Sequence, residues 1–296
     1  MPGDKKWFAL GVELEGGYVR DQKALALRYP GARAKGDGSV DVEYDDLRPG
    51  FQCPPGRNED YFAGGRETTT PAVEDLPTLL AMVEDLYPDA VNKSCGMHVH
   101  CSFSDDRYYR RLASTKFHAY FLGRWEAWGH ANESRMLKDD SHSFWRRWRG
   151  ENTYCKRNAS AEKDYVGNVW RATHGGGDRY CQLNYCKSKF NTLECRMLPM
   201  FRDISLALDA IRELVDIYES WLAKPSSEDA RASIFGVKKP PPDNSGLHPK
   251  RLGNTVSRKA PGEFTKRSSL AKPFSGPDGS VQAVRLPDGR IIIVEV

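Results

Sequence analysis

Three short stretches of this sequence each carry a pair of charged or metal-ligating side chains two residues apart. They read E-x-E at residues 13–15, H-x-H at residues 98–100 and E-x-R at residues 194–196. Side chains alternate between the two faces of a β-strand, so each pair is predicted to point to one face. Carboxylates from separate strands suit divalent cations, and arginine suits phosphate or carboxylate groups. The spacing therefore predicts a metal-dependent site that binds anionic groups.

The residues around these pairs indicate a sheet with two different faces. Gly96 shares the phase of the two histidines, and the opposite phase is apolar: Cys95, Met97, Val99 and Cys101. A solvated strand face usually carries Lys, Thr and Ser, whereas glycine beside ligating groups leaves room for a substrate. We therefore expect one face of the sheet to pack against the core and the other to be polar and rich in acids.

The candidate ligands favour phosphoryl transfer over other nucleotide chemistry. Mg²⁺ prefers oxygen donors, whereas histidine is more usual for Zn²⁺ or Mn²⁺. The sequence contains no Walker A motif and no G-x-G-x-x-G before a predicted helix, which argues against a P-loop or Rossmann site. Metal ions and arginines that face one groove are typical of phosphoryl transfer. The candidate carboxylates and arginines are Glu13, Glu15, Glu67, Glu194, Arg179 and Arg196.

Composition predicts a reduced, cytoplasmic protein without a membrane partner. The chain has 296 residues, of which 39% are hydrophobic, so it can bury a large core. Its seven cysteines are an odd number and include no C-x-x-C pair, so we do not expect disulfide bonds. No apolar run approaches the roughly 18 residues that would span a bilayer.

The charge distribution divides the chain into three segments. Residues 1–223 are predicted to form the catalytic domain, and residues 224–280 a basic linker rich in Pro, Gly and Ser. That linker holds eleven Lys and Arg against five Asp and Glu. Residues 281–296 are predicted to form a β-hairpin that docks on the body or on a partner. A solvated linker is the favoured interpretation, and DNA binding through its positive charge is the alternative.

The predicted fold class is α+β, an antiparallel sheet with helices on one face and an open polar face. Helices are predicted near residues 76–87, over 105–129 and over 204–223. Residues 39–44 are predicted to form a short strand, and residues 179–198 a hairpin. The Trp- and Arg-rich residues 130–178 are predicted to be mainly loops that could cover phosphate groups or grip nucleic acid.

Six motifs occur in a fixed order along the chain and carry a family resemblance. They are G-V-E-L-E (11–15), K-G-D-G-S-V (35–40), E-T-T-T-P (67–71), S-C-G-M-H-V-H (94–100), R-Y-C-Q-L-N (179–184) and T-L-E-C-R (192–196). Together they resemble the amidoligase family of carboxylate–amine ligases, which is related to glutamine synthetase and glutamate–cysteine ligase. The resemblance covers about residues 8–202, and members of that family occur in phage genomes and in bacterial gene clusters.

The resemblance implies a glutamine-synthetase-like sheet that holds ATP and two or more Mg²⁺ ions, with Mn²⁺ as a substitute. Such enzymes phosphorylate a carboxylate, and an amine then attacks the acyl phosphate to form an amide. Small molecules, peptides and modified nucleobases all stay open as substrates, and a phage-encoded member would act in the host cytoplasm.

The resemblance also implies roles for individual residues. Arg196 and Arg179 resemble clamps for phosphate or carboxylate, and Asp37 would position the amine or receive its proton. The implied nucleotide contacts are His100, Asn184 and Arg202. The implied metal ligands are Glu13, Glu15, Glu67, His98 and Glu194.

Two other functions are left open by the sequence. The first is a metal-dependent hydrolase in which His98 and His100 bind Zn²⁺ and Glu13 acts as the base. The second is a nucleic-acid-binding protein that acts through the basic linker, or through Trp145 and Trp148 and the arginines between and beside them.

Overall fold

A computed structural model describes residues 7–158, 180–186 and 191–225, together with the strands at 281–285 and 291–295. Alternation of apolar and polar residues produces the three strands that carry the ligating pairs, as the sequence predicts, and three further strands complete the main sheet. These strands are β1 (Trp7–Tyr18), β2 (Arg33–Gly36), β3 (Ala63–Thr69), β4 (Gly96–Phe103), β7 (Leu183–Cys186) and β8 (Thr192–Pro199). Two-residue strands β5 (Glu151–Asn152) and β6 (Cys155–Lys156) pair with each other outside this sheet.

The six strands lie in the order β2-β3-β1-β4-β8-β7, and every neighbouring pair is antiparallel. The register sets Glu15 opposite Glu67 across β1 and β3, and Glu13 opposite His98 across β1 and β4. It also sets His100 opposite Glu194 across β4 and β8. The predicted antiparallel α+β architecture is therefore confirmed, and the three predicted pairs and Glu67 lie on four adjacent strands.

The apolar phase of the strands forms one side of the hydrophobic core. The helices are α1 (Gln22–Leu27), α2 (Leu76–Leu86), α3 (Asp106–Leu112), α4 (Thr115–Asn132), α5 (Lys138–Arg149) and α6 (Ile204–Ala223). Helix α2 contacts both β1 and α6, and α3 contacts both β4 and α6. The buried strand residues in this core are Leu10, Val12, Leu14, Met97, Val99, Cys101, Leu193, Cys195 and Met197.

Capping side chains fix where the longer helices begin. The Asp75 carboxylate accepts a hydrogen bond from Thr78 N at 2.8 Å, so α2 begins at Leu76 as predicted. The prediction of a single helix over residues 105–129 is wrong, because Ser114 begins a new helix there. Its hydroxyl accepts a hydrogen bond from Phe117 N at 3.1 Å, and α3 ends two residues earlier.

The predicted strand at residues 39–44 is also wrong. The Asp37 carboxylate accepts hydrogen bonds from both the backbone nitrogen and the hydroxyl of Ser39, at 2.9 and 2.7 Å. A 3₁₀ turn then follows at Tyr44–Asp46. Such local bonds from side chain to backbone compete with strand pairing, and they turn the chain instead. The edge strand β2 lies earlier, at Arg33–Gly36.

Residues 138–149 form helix α5, where the sequence predicts loops. Phe144 is buried and its ring lies 5.6 Å from that of Trp128, measured between centroids. The Trp148 indole nitrogen donates a hydrogen bond to the Leu122 carbonyl oxygen at 3.0 Å. Tertiary packing onto α4 therefore makes this segment helical. The same packing occupies aromatic side chains that would have to be exposed in order to stack on nucleic-acid bases.

The chain divides into two compact units, Met1–Pro225 and Ser226–Val296. In the second unit, β9 (Val281–Arg285) pairs antiparallel with β10 (Ile291–Glu295). The predicted basic linker lies outside the described residues, and docking of the hairpin stays a prediction. None of the helices that the structure describes is long and apolar enough to cross a membrane.

Candidate metal centre

Six ligating side chains from four strands meet on the polar face of the sheet. Glu67 comes from β3, two glutamates from β1, two histidines from β4 and Glu194 from β8. The register described above aligns them, because residues two apart on one strand face the same side as their partners on the next. Five of them, together with Asp37, form two groups of three, and the ligand atoms within each group lie within 4.8 Å of one another.

The first ligand group consists of Glu13, His100 and Glu194. His100 Nε2 lies 3.3 Å from Glu13 Oε1, and its Nδ1 lies 3.2 Å from the Thr192 hydroxyl. Nε2 is buried, and among the described residues its contact with Glu13 is not aligned as a hydrogen bond and no other partner is present. Buried polar atoms nearly always have one, so this nitrogen is well suited to bind a cation.

The second ligand group consists of Glu15, Asp37 and Glu67. Glu67 Oε1 lies 2.9 Å from Lys35 Nζ, and Glu15 Oε2 accepts a hydrogen bond from Gly96 N at 2.6 Å. Asp37 was expected to serve the amine, and the structure brings it beside two predicted metal ligands. Three carboxylates in one place form an oxygen-rich donor set that suits Mg²⁺ or Mn²⁺.

His98 lies between the two groups and contacts both. Its Nδ1 is 3.1 Å from Glu13 and 3.7 Å from Glu194, and its Nε2 is 3.6 Å from Glu15. The side chain is only 3% exposed. The sequence predicts His98 as a ligand and His100 as a nucleotide contact, whereas the geometry groups His100 with the carboxylates and sets His98 between the two groups.

Close packing of opposite charges shifts the acidity of the first ligand group. Burial by itself raises the pKa of Glu13, but its contacts with His100 and His98 outweigh burial and lower that pKa well below its usual range. Burial also acts to raise the pKa of Glu194, and the charge on Arg196 reverses this and lowers the pKa. For His100 burial lowers the pKa, but Glu13 and Glu194 raise it overall. The carboxylates are therefore ionised and ready to bind a cation.

Glu67 differs from these carboxylates. Burial and the charge on Glu13 raise its pKa, and Lys35 offsets only part of that rise. A carboxyl whose ionised form is disfavoured gains most from a bound cation, because the cation's charge replaces the missing compensation. The second ligand group therefore also fits a metal ion.

Side chains around Glu194 hold its carboxylate in place. The Asn184 amide donates a hydrogen bond to Glu194 Oε2 at 2.7 Å, and the guanidinium of Arg196 pairs with Oε1. Arg196 Nε also donates to the Tyr154 carbonyl oxygen at 3.1 Å, and its guanidinium lies over the Tyr180 ring. Asn184, predicted as a nucleotide contact, thus orients the candidate ligand Glu194. Hydrogen bonds to a metal-binding side chain orient that side chain and tune the affinity of the site for the metal.

One predicted site residue, Arg202, makes its contacts in another part of the protein. Arg202 donates from its backbone nitrogen to Asp140 at 2.9 Å, and its guanidinium lies 3.5 Å from Asp139. Both acids belong to α5, and Arg202 Nε also donates to the Val91 carbonyl oxygen at 3.5 Å, so none of these contacts is with a residue of the two ligand groups. Arg179 lies outside the described residues.

The polar face is less open than the sequence predicts. Glu13 is 26% exposed and His100 is 16% exposed, but the side chain of Glu194 is only 5% exposed. Several carboxylates at low exposure are costly to bury unless cations compensate them. Of the six side chains from the strands, those of Glu13 and His100 are therefore the most exposed.

Three residues near the site have no role in the sequence prediction. Lys35 pairs with Glu67, and Thr192 contacts His100 Nδ1. Both belong to motifs that carry the resemblance, so their positions were visible in the sequence. The third residue, Arg147, comes from α5 and is one of three arginines in W-R-R-W-R, a pattern that does not distinguish it.

No protein-family model matches the chain, and no curated protein matches it either.

Proposed function

We propose that this chain is an ATP-dependent carboxylate–amine ligase, an amidoligase with a glutamine-synthetase-like sheet. The observation that supports it best is the pair of oxygen-rich ligand groups, side by side on one face of an antiparallel sheet. Two such groups suit two cations of the Mg²⁺ type, and Arg196 beside Glu194 adds a positive group for an anion.

The residues present fit the metal ions that this function needs. Glu13, His100 and Glu194 would hold one ion, and Glu15, Asp37 and Glu67 a second. The ions would neutralise charge on the phosphate groups of ATP and so make the terminal phosphoryl group transferable. The protein fixes the ligands in advance through the sheet register, through Asn184 and through Gly96 N.

In the proposed reaction a carboxylate oxygen of the substrate attacks the terminal phosphorus of ATP, and the bond to ADP breaks. The amine nitrogen then attacks the carbonyl carbon, and phosphate leaves with the former carboxylate oxygen. The amine must lose a proton in this step, so the site needs a base. Asp37 is exposed more than the other acids of its group, which supports its expected contact with the amine.

The hydrolase alternative has weaker support in the geometry. A zinc hydrolase of the predicted kind needs both histidines on one ion, whereas the first ligand group includes His100 and two carboxylates. The donor set is also richer in oxygen than zinc sites usually are. Metal analysis of the purified protein separates the two functions, because tightly held stoichiometric zinc would favour the hydrolase.

The direct test of the ligase uses the purified full chain with Mg²⁺, ATP and a panel of carboxylates and amines. We expect ADP and phosphate to form in a manner that depends on the carboxylate. Hydroxylamine in place of the amine should trap the acyl phosphate as a hydroxamate. Formation of AMP and pyrophosphate, or no nucleotide turnover with any pair, would contradict the proposal.

A further inference from the structure

Arg147 is a buried cation whose guanidinium reaches the polar face of the sheet. The side chain belongs to α5 and is 2% exposed. Its Nη2 donates a hydrogen bond to the Cys95 carbonyl oxygen and its Nη1 to the Arg196 carbonyl oxygen, each at 3.1 Å. The Cys95 carbonyl lies directly before β4, and the Arg196 carbonyl belongs to β8. Arg147 therefore connects α5 to both strands.

Gly96 marks where this guanidinium meets the second ligand group. A Cβ atom at position 96 would lie 3.1 Å from Arg147 Nη2, 3.1 Å from Glu15 Oε2 and 2.9 Å from His98 Nε2. Position 96 has the same strand phase as the two histidines, so this point is on the polar face. Guanidinium, carboxylate and imidazole thus converge on one small space that only glycine leaves free.

Arg147 has no direct ion-pair partner among the described residues, and Glu15 is the carboxylate that approaches the same space. Within the described part of the chain no carboxylate forms an ion pair with it, and its bonding partners are neutral carbonyl groups. Its Nε–H is buried and, among the described residues, has no acceptor. Burying an unpaired charge is costly, and buried donors without an acceptor are rare, so both features point to an anion that is absent from the free protein.

We propose that Arg147 binds a phosphate oxygen of the nucleotide's phosphate chain beside the second ligand group. This inference rests on the proposed function for the identity of the anion. A guanidinium suits that task because it is always charged and because its nitrogens match the geometry of an oxyanion. An anion that lies between Arg147 and a cation held by Glu15, Asp37 and Glu67 would balance the positive charge of the guanidinium and of the cation.

Arg147→Met tests this proposal in the full chain, with tripolyphosphate as the probe because it carries the triphosphate chain without sugar or base. Mn²⁺ binding is measured first by electron paramagnetic resonance, and tripolyphosphate binding to the Mn²⁺-loaded protein by calorimetry. We expect tripolyphosphate affinity to fall roughly 10- to 100-fold, the range for a lost charge-assisted hydrogen bond. Mn²⁺ affinity should stay equal or become tighter, because a cation has been removed from the neighbourhood of the ligands.

The opposite directions of these two effects separate anion binding from a structural role. Loss of the two carbonyl contacts alone would loosen β4 and β8 and weaken both ligands together. Arg146→Met is the matched control, since Arg146 is the preceding, exposed residue of α5 and, among the described residues, donates to the Glu151 carbonyl oxygen at 3.3 Å. It should leave both affinities unchanged.

Arg147→Lys keeps the test decisive if the methionine variant does not fold. Lysine retains the charge but not the planar fork, so we expect an intermediate loss of tripolyphosphate affinity and wild-type Mn²⁺ affinity. Equal weakening of both ligands, unchanged tripolyphosphate affinity, or no binding to the wild-type protein would overturn the proposal. The test needs neither nucleotide turnover nor an amine, so the anion site and the ligase activity can fail separately.

Discussion

At the scale of single residues, the clearest property of this protein is the concentration of negative charge on one sheet face. Glu13, Glu15, Asp37, Glu67 and Glu194 belong to two adjoining ligand groups. Such crowding is unfavourable in water-free surroundings unless cations balance it. The protein supplies part of that balance through Lys35 and Arg196, which pair with Glu67 and Glu194. The proposed metal ions would supply the rest and would also account for the oxygen-rich geometry.

Glu13→Gln and Glu194→Gln test this interpretation, because glutamine keeps the shape of glutamate and removes one anionic ligand. Loss of a group that only orients a ligand costs about 10- to 100-fold in metal affinity, so loss of a ligand should cost at least as much. We expect Mn²⁺ affinity to fall by at least this factor and carboxylate-dependent ADP release to disappear. Thermal unfolding should still be cooperative.

Glu126→Gln is the control for these variants, since Glu126 is an exposed glutamate on α4. It should match the wild-type protein in Mn²⁺ affinity and in nucleotide turnover. Near wild-type Mn²⁺ affinity in both Glu13→Gln and Glu194→Gln would remove these residues from the metal centre.

At the scale of elements, the packing of α4 against α5 decides how Arg147 reaches the sheet. A Cβ atom at Gly129 of α4 would lie 2.5 Å from Phe144 Cε1 and 2.9 Å from Trp145 Cη2, both on α5. The two helices therefore approach closely because position 129 has no side chain. Gly123 belongs to the same helix, and a Cβ atom there would have no neighbour within 4 Å.

Gly123→Ala and Gly129→Ala are expected to change stability in opposite directions. Alanine is favoured over glycine in a helix by about 1 kcal/mol, so Gly123→Ala should raise the free energy of unfolding by up to that amount. At position 129 the same gain is opposed by overpacking, which costs about 1–3 kcal/mol, so that variant should be less stable than the wild-type protein. Urea unfolding measures both values, and a stabilised Gly129→Ala variant would show that α4 and α5 pack less closely.

At the scale of the whole molecule, the described core lies within the first compact unit. The buried apolar cluster runs from Leu10 to Leu222, and the unit ends at Pro225. The excess of positive charge lies beyond it, since residues 226–296 hold twelve Lys and Arg against seven Asp and Glu, whereas residues 1–225 are nearly neutral. The core and the net positive charge are therefore separated along the chain.

Truncation after Pro225 should therefore leave a folded protein that still binds metal. We expect the melting temperature and the Mn²⁺ affinity of residues 1–225 to equal those of the full chain, because no described core residue is removed. Non-cooperative unfolding of the truncated chain would show that the later residues complete the core.

The same pair of proteins tests the DNA hypothesis for the basic segment. Electrostatic binding predicts that the full chain binds duplex DNA with an affinity that falls steeply with salt, and that residues 1–225 do not. Reversing the charge of Lys238, Lys239, Lys250 and Arg251 should have the same effect as truncation. Unchanged DNA affinity in the reversed variant, or no binding by the full chain, identifies the segment as a linker.

The sequence by itself determined the three strands that carry the ligating pairs and the side of the sheet that each pair faces. A period of two is a local property, so Glu13, Glu15, His98, His100 and Glu194 were assigned correctly to one phase. Local capping also defined the beginning of α2. By contrast, the predicted strand at residues 39–44 was wrong because a side chain bonded the nearby backbone there.

Only the tertiary structure decided which atoms meet. The pairing of Glu13 with His98 and of His100 with Glu194 depends on strand order and register, which alternation within one strand does not specify. The grouping of Asp37 with Glu15 and Glu67 depends on a turn that joins distant segments. Arg147 reaches Gly96 because α5 forms only when its aromatic residues pack on α4, and a lone helical segment is too short to be stable without that packing.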